Sequence, residues 1–149
     1  MKQEFRSNDR VGLELGSNGV AQVRLTRGDK LNAIDPAMFT ALIEVGRALF
    51  ETSGLRAVVL AGEGRAFCAG LDLASLSGTG ANAEADHLSQ RTHGNANLFQ
   101  QVALQWRKLP VPVIAAVHGV CFGGGLQIAA GADLRVVAPD ARLAVMELK

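Results

Sequence analysis

The chain has little excess charge, few cysteines and no long apolar run, and each shortage excludes a class of protein. Fifteen Lys and Arg face fourteen Asp and Glu, a formal net charge of +1, so no global field draws it to nucleic acid or to an anionic membrane. The longest apolar runs, Ala57 to Ala61 and Val113 to Val117, fall far short of the ~20 residues that a bilayer-crossing helix needs. The opening Met1-Lys2-Gln3-Glu4-Phe5-Arg6 is mostly polar and charged and does not read as a secretory signal. Cys68 and Cys121 are the only cysteines and lie far apart, which is no disulfide framework; a reducing cytoplasm is the matching expectation. His87, His93 and His118 have no metal-ligand spacing with those cysteines, so no metal site is expected. There is no Gly-x-x-x-x-Gly-Lys phosphate loop and no Gly-x-Ser-x-Gly nucleophile elbow. Gly78-Thr-Gly-Ala-Asn-Ala83 fits a loose dinucleotide pattern, but no strand precedes it and it reads as a mobile loop.

What is present is an ordinary globular composition, 48% hydrophobic and 19% charged over 149 residues, the length of one domain. Val11 to Leu15 and Val20 to Leu25 alternate apolar and polar residues around Gly16-Ser-Asn-Gly19 and read as a hairpin. Arg27-Gly-Asp-Lys30 makes a polar turn. A helix follows, capped by Asp35 with Pro36 at its first position; Met38, Phe39, Leu42, Ile43, Leu49 and Phe50 recur at helical spacing, and Gly54 stops it. Leu55 to Leu60 reads as a buried strand. The stretch from Glu84 to Leu109 reads as one long helix ended by Pro110, with Leu88, Leu98, Phe99, Val102, Trp106 and Leu109 on its buried face and His87 and His93 solvated. Val113 to Val117 reads as a second buried strand, Leu126 to Ala130 as a short helix, and Leu134 to Ala138 and Arg142 to Val145 as two more strands. Strands alternating with helices imply an α/β domain. His118 reads as a turn residue before Gly119.

Glycine is plentiful, 17 of 149 residues, about 11% against roughly 7% in an average chain. A weak internal echo uses it twice. Val58-Val-Leu-Ala-Gly62 leads into Phe67-Cys-Ala-Gly-Leu-Asp72, and Val113-Ile-Ala-Ala-Val117 leads into Phe122-Gly-Gly-Gly-Leu-Gln127. Each is a buried strand, a glycine loop and a helix start. Such loops permit tight turns and close helix–sheet packing, which is one reading. The other is that two loops after neighbouring strands aim two backbone N–H donors at one point, an oxyanion hole in which each donor contributes on the order of 3 kcal/mol to a developing anion. Cys68, near a helix start, reads as a packed small residue or as an activated thiol.

Three stretches together resemble the crotonase superfamily, the enoyl-CoA hydratase/isomerase family. They are Lys30-Leu-Asn-Ala-Ile34, Arg65-Ala-Phe-Cys-Ala-Gly-Leu-Asp-Leu73, and Pro112-Val-Ile-Ala-Ala-Val-His-Gly119 continuing through Phe122-Gly-Gly-Gly-Leu-Gln-Ile128 to Ala132 and Asp133. The resemblance implies a spiral of repeated β-β-α units, here the N-terminal portion over residues 1–149 with the C-terminal helical part absent, and assembly as a trimer or hexamer when full length. It implies an acyl-CoA thioester substrate of fatty-acid type metabolism and no cofactor beyond the CoA moiety. By position, the backbone N–H groups of Leu71 and Gly124 would be the oxyanion donors. Leu71, Asp72 and Leu73 would lie along the CoA, with Lys30 and Ala33 beside it.

Two positions qualify the implied chemistry. The family's hydratases use two glutamates; Glu147 matches one, and Gln127 stands where the other belongs. A glutamine amide orients water or a carbonyl but does not take a proton, whereas one carboxylate suffices to move a proton between two carbons of one enolate. Hydration and double-bond isomerisation of an enoyl-CoA both remain open. Arg27-Gly28 replaces a common Arg-Pro. Rival readings are a non-catalytic CoA-binding or assembly subunit that lost one carboxylate, and a hydrolase with Cys121 as nucleophile. The end at Glu147-Leu-Lys149, directly after an apolar run, reads as the edge of a longer polypeptide of which this chain alone has little activity.

Overall fold

A computed structural model of the chain describes residues 3–6, 8–76 and 88–146. Six strands form one sheet in the order β1 (Gln3–Arg6), β2 (Val11–Leu15), β3 (Val20–Leu25), β4 (Ala57–Gly62), β5 (Val113–Val117) and β7 (Leu134–Val137). The first three are antiparallel; β3, β4, β5 and β7 run parallel. A second, two-stranded parallel sheet pairs β6 (Val120–Phe122) with β8 (Arg142–Ala144). The helices are α1 (Pro36–Phe50), α2 (Leu73–Leu76), α3 (Leu98–Leu104) and α4 (Gly124–Ala130).

The sequence pattern explains the layers. Val11, Leu13, Ala21, Val23, Leu25, Val58, Leu60, Val113, Ala115 and Val117 are buried, and the residues between them are not. That period of two gives the main sheet one packed face. Met38, Leu42, Val45 and Leu49 of α1 recur at helical spacing and are buried in the same core. Asp35 caps α1 by accepting from the Met38 N–H at 2.8 Å, and Pro36 fills the first turn. Phe50, read as part of the buried stripe, is instead 62% exposed. The hairpin is antiparallel, as the alternation implies. β1 is an unexpected extra strand, recruited because its partner β2 offers a free edge.

The long helix of residues 84–109 is corrected. Residues 77–87, and with them the Gly78–Ala83 loop and His87, lie outside the described residues. Leu88 is 54% exposed, and His93 and Ala96 pair across a turn through Gly94. α3 starts only at Leu98, because Asn97 and Gln100 form a capping box: the Gln100 N–H donates to Asn97 Oδ1 at 2.9 Å and the Asn97 N–H to Gln100 Oε1 at 3.0 Å. The chain then tightens into a 3-10 turn, Gln105–Lys108, before Pro110. α1 packs on α3 and α3 on α4, which brings the two glycine loops under one helical layer.

Candidate active site

The segment 67–72 runs between two others. On one side the Ala69 N–H donates to Leu31 O (2.9 Å), Ile34 N–H to Gly70 O (2.8 Å) and Asp72 N–H to Ile34 O (2.9 Å). On the other the Phe67 N–H donates to His118 O (2.8 Å), Cys68 N–H to Val120 O (3.2 Å) and Phe122 N–H to Cys68 O (3.0 Å). Leu71 is thus the parallel partner of Ile34. Because Gly70 and Asp72 supply the groups facing Ile34, the N–H of Leu71 itself turns the opposite way, to the side from which the 118–122 segment pairs. Gly70 makes the turn with φ +92°, and a Cβ there would lie 2.8 Å from Phe122 O and 3.6 Å from Gly124 N. The loops therefore touch, and glycine is required at the contact.

The second loop ends at Gly123, whose N–H donates to Ala144 O and whose carbonyl accepts from the Gln127 N–H at 3.0 Å, starting α4. The Gly124 N–H then belongs to the first turn and has no intrahelical acceptor. Among the described residues neither the Leu71 nor the Gly124 N–H has a hydrogen-bond partner. Gly125 locks the two loops together: a Cβ there would overlap Cys68 O and lie 2.7 Å from Cys68 Cβ.

Leu71, Gly124 and Gln127 border one cavity of ≈ 60 Å³, and Ile34, Phe39, Phe99 and Val102 complete it. The structure therefore brings together three of the four residues singled out for chemistry. The fourth, Glu147, lies outside the described residues. Of the residues singled out for CoA, Lys30 is exposed at the end of a 3-10 turn, Gly28–Lys30, and Ala33 is half-buried. Leu71 and Leu73 expose 41% and 76% of their surface, an unusual display for two leucines flanking one carboxylate.

That carboxylate is already engaged. Arg27 Nη1 donates to Asp72 Oδ2 at 2.8 Å and to Ala33 O at 3.0 Å, and lies 3.5 Å from Asp35 Oδ2. Asp72 also accepts from the Ala74 N–H at 3.2 Å. The Arg27 guanidinium holds the Asp72 carboxyl below the usual carboxylate range. For Asp35, burial pushes upward, but the hydrogen bonds from Arg10 and the Met38 N–H outweigh it and the net direction is down. Arg10 is raised in turn by its bond to Asp35 and by Asp9, against the opposing effect of burial. Asn32, fully buried with φ +55°, donates to Glu63 O and Ala66 O and accepts from the Arg27 N–H at 2.9 Å. Sequence reasoning missed Arg27 as a positioning residue; its partner is 45 residues away, and no local spacing reveals such a pair.

Both thiols are buried. Cys68 and Cys121, distant in sequence, pair across a β-bridge, are both free, and are fully buried. Burial pushes Cys68 up to about 12 and Cys121 to about 11, which removes the nucleophilic thiolate that the hydrolase reading needs. His93 sits in the turn before α3 rather than on a helix, and His118 Nε2 meets Gly64 O at 2.9 Å. Among the described residues no group of three or more His, Cys, Asp or Glu could hold a metal, and no helix is long and apolar enough to cross a membrane.

A mostly parallel α/β sheet with two interlocked glycine loops opening on one cavity defines a crotonase-type fold. The chain belongs to the enoyl-CoA hydratase/isomerase family, whose model matches residues 16–149. It is 33% identical over 132 residues to the mitochondrial Delta(3,5)-Delta(2,4)-dienoyl-CoA isomerase of Rattus norvegicus, covering 87% of this chain and 40% of that one. The crystal structure of an enoyl-CoA hydratase from Mycobacterium smegmatis superposes with a TM-score of 0.83 at 36% identity, covering 94% of this chain and 52% of that one. An enoyl-CoA hydratase from Bacillus anthracis gives 0.78 at 27% identity, covering 90% and 49%. The chain thus spans two fifths to about half of the length of these relatives.

Proposed function

We propose that this chain is the N-terminal portion, residues 1–149, of an acyl-CoA enzyme that stabilises a thioester enolate during hydration or double-bond isomerisation of an enoyl-CoA. The observation that carries the reading is the cavity bordered by both Leu71 and Gly124, two residues whose N–H groups lack partners among the described residues. In the proposed reaction both N–H groups donate to the thioester oxygen. They bind most strongly once negative charge has reached that oxygen, by removal of an α-proton in isomerisation or by addition of water to the β-carbon in hydration. In isomerisation Glu147 takes the α-proton and returns one to the γ-carbon; in hydration it takes the proton of the attacking water, and the α-carbon is protonated in turn. Gln127 orients water or substrate from the cavity wall; its inability to accept a proton favours isomerisation, in which one carboxylate both removes and returns the proton. The exposed Leu71 and Leu73 offer an apolar strip for the CoA moiety, with Lys30 and Ala33 nearby in the chain path. Asp72 enters through its tie to Arg27 rather than through the ligand.

No cofactor beyond CoA is needed for this chemistry. Trimeric or hexameric assembly, a place in fatty-acid metabolism and a reducing, cytoplasmic setting are part of the same proposal; the two free thiols support the last.

The test is an assay of the intact parent enzyme with 2-enoyl-CoA and 3-enoyl-CoA, with Glu147→Gln alongside. A positioned acid–base group gives about 100-fold or more, so the variant loses at least that much on the turned-over substrate. A loss below about tenfold on both substrates removes the role of Glu147. Gln127→Glu separates the reactions: it raises hydration of 2-enoyl-CoA relative to isomerisation of 3-enoyl-CoA.

A further inference from the structure

We infer that the Phe39–Phe99 pair sets the length of the acyl group, and that the substrates are short-chain thioesters. The inference rests on the acyl-CoA reading above. The thioester carbon lies against Leu71 and Gly124 in that reading, so the acyl chain has to leave into the space beyond them. Ile34 marks the path: it pairs with Leu71, and its Cδ1 would lie 3.1 Å from a Cβ on Gly124. Past Ile34 the cavity meets Phe39 from α1 and Phe99 from α3, with Val102 one helical turn beyond Phe99.

The two rings stand edge to face, centroids 5.0 Å apart and planes at 84°, the geometry that aromatic quadrupoles favour. Phe39 is 6% exposed on a helix whose start is fixed by the Asp35 cap and its arginine partners, and Phe99 lies within the Asn97–Gln100 capping box. Neither ring can swing aside without leaving its partner. The space is ≈ 60 Å³. On the scale in which a cavity of about 150 Å³ holds one benzene, it takes about two or three non-hydrogen atoms, the carbons beyond the thioester carbonyl of a propanoyl or butanoyl chain. A decanoyl chain requires the rings to part.

The experiment measures affinities of the intact parent enzyme for butanoyl-CoA and decanoyl-CoA by calorimetry, in the wild type, Phe99→Leu and Phe99→Ala. Unfilled or clashing methylenes in an apolar pocket change selectivity by about 10-fold or more. The wild type binds butanoyl-CoA at least about tenfold more tightly than decanoyl-CoA, and Phe99→Ala brings the ratio to about one or inverts it, with Phe99→Leu between. Each ratio is taken within one protein sample, so it does not depend on the fraction of variant that folds. Equal wild-type affinities, or a ratio unchanged in both variants, overturn the length rule while leaving the acyl-CoA reading intact. Failure of the wild type to bind either thioester overturns both.

Discussion

The two glycine loops border the same cavity, yet they are held by different physics. The second is held by packing. α4 buries Ile128 and Ala129, and Gly125 lets it lie directly on Cys68. The first is held by polar ties. α2 is a single turn of four residues with Leu73 76% exposed, and what fixes it is the bridge to Ile34 and the Arg27–Asp72 pair. The contact between the loops is therefore disturbed by added volume, and the outer part of the first loop by loss of charge.

The largest effect is expected on the packed side. Gly125→Ala drives a methyl into the Cys68 backbone, and overpacking of this kind costs about 1–3 kcal/mol or more when backbone has to move. Urea unfolding followed by circular dichroism reads it as a lower midpoint. An unchanged midpoint would show that the loops are not interlocked as described. Next is Arg27→Gln, which leaves Asp72 without its guanidinium and also removes the contacts to Ala33 O and Asp35. Misplacement of a donor by about 1 Å costs on the order of 100-fold in rate; the expected signature is a fall in kcat with KM for the thioester far less affected, and partial rescue by Arg27→Lys. A fall in both variants that tracks loss of folded protein would assign Arg27 to stability alone.

The smallest effect is the acid response of the same tie. Asp72 has its folded pKa depressed, chiefly by the hydrogen bond from Arg27. Its contribution is therefore complete above the unfolded value of about 3.9 and is lost as pH falls below that, through the folded value. Plotting the urea midpoint against pH for the wild type and Asp72→Asn gives curves that converge at the acid end. Parallel curves would mean that the carboxylate contributes nothing specific. The Asp35 carboxyl, also depressed, keeps an acid limb in both proteins.

The same division explains what was legible in the sequence. The period-two strands, the Asp35-Pro36 cap and the glycine loops are local patterns, and each could be read from neighbours a few residues apart. The long helix failed where a competing local signal, Asn97 with Gln100 three residues later, was outweighed by apolar spacing that continues through Leu88. The bridge between Cys68 and Cys121 and the span of Arg27 from Ala33 to Asp72 depend on which strands become neighbours. The Phe39–Phe99 wall likewise needs α1 packed on α3 before either ring acquires a partner. The donor roles proposed for Leu71 and Gly124 come only from the family resemblance, because neither residue carries a functional side-chain group.

The most direct measurement follows the amide proton and nitrogen resonances of Leu71 and Gly124 while butanoyl-CoA, and separately CoA thiol lacking the acyl carbonyl, is titrated into the protein. Both amide protons should move downfield with the thioester and stay near their free positions with the thiol. Movement of only one, of neither, or of both equally with thiol and thioester would contradict a shared oxygen between the two loops.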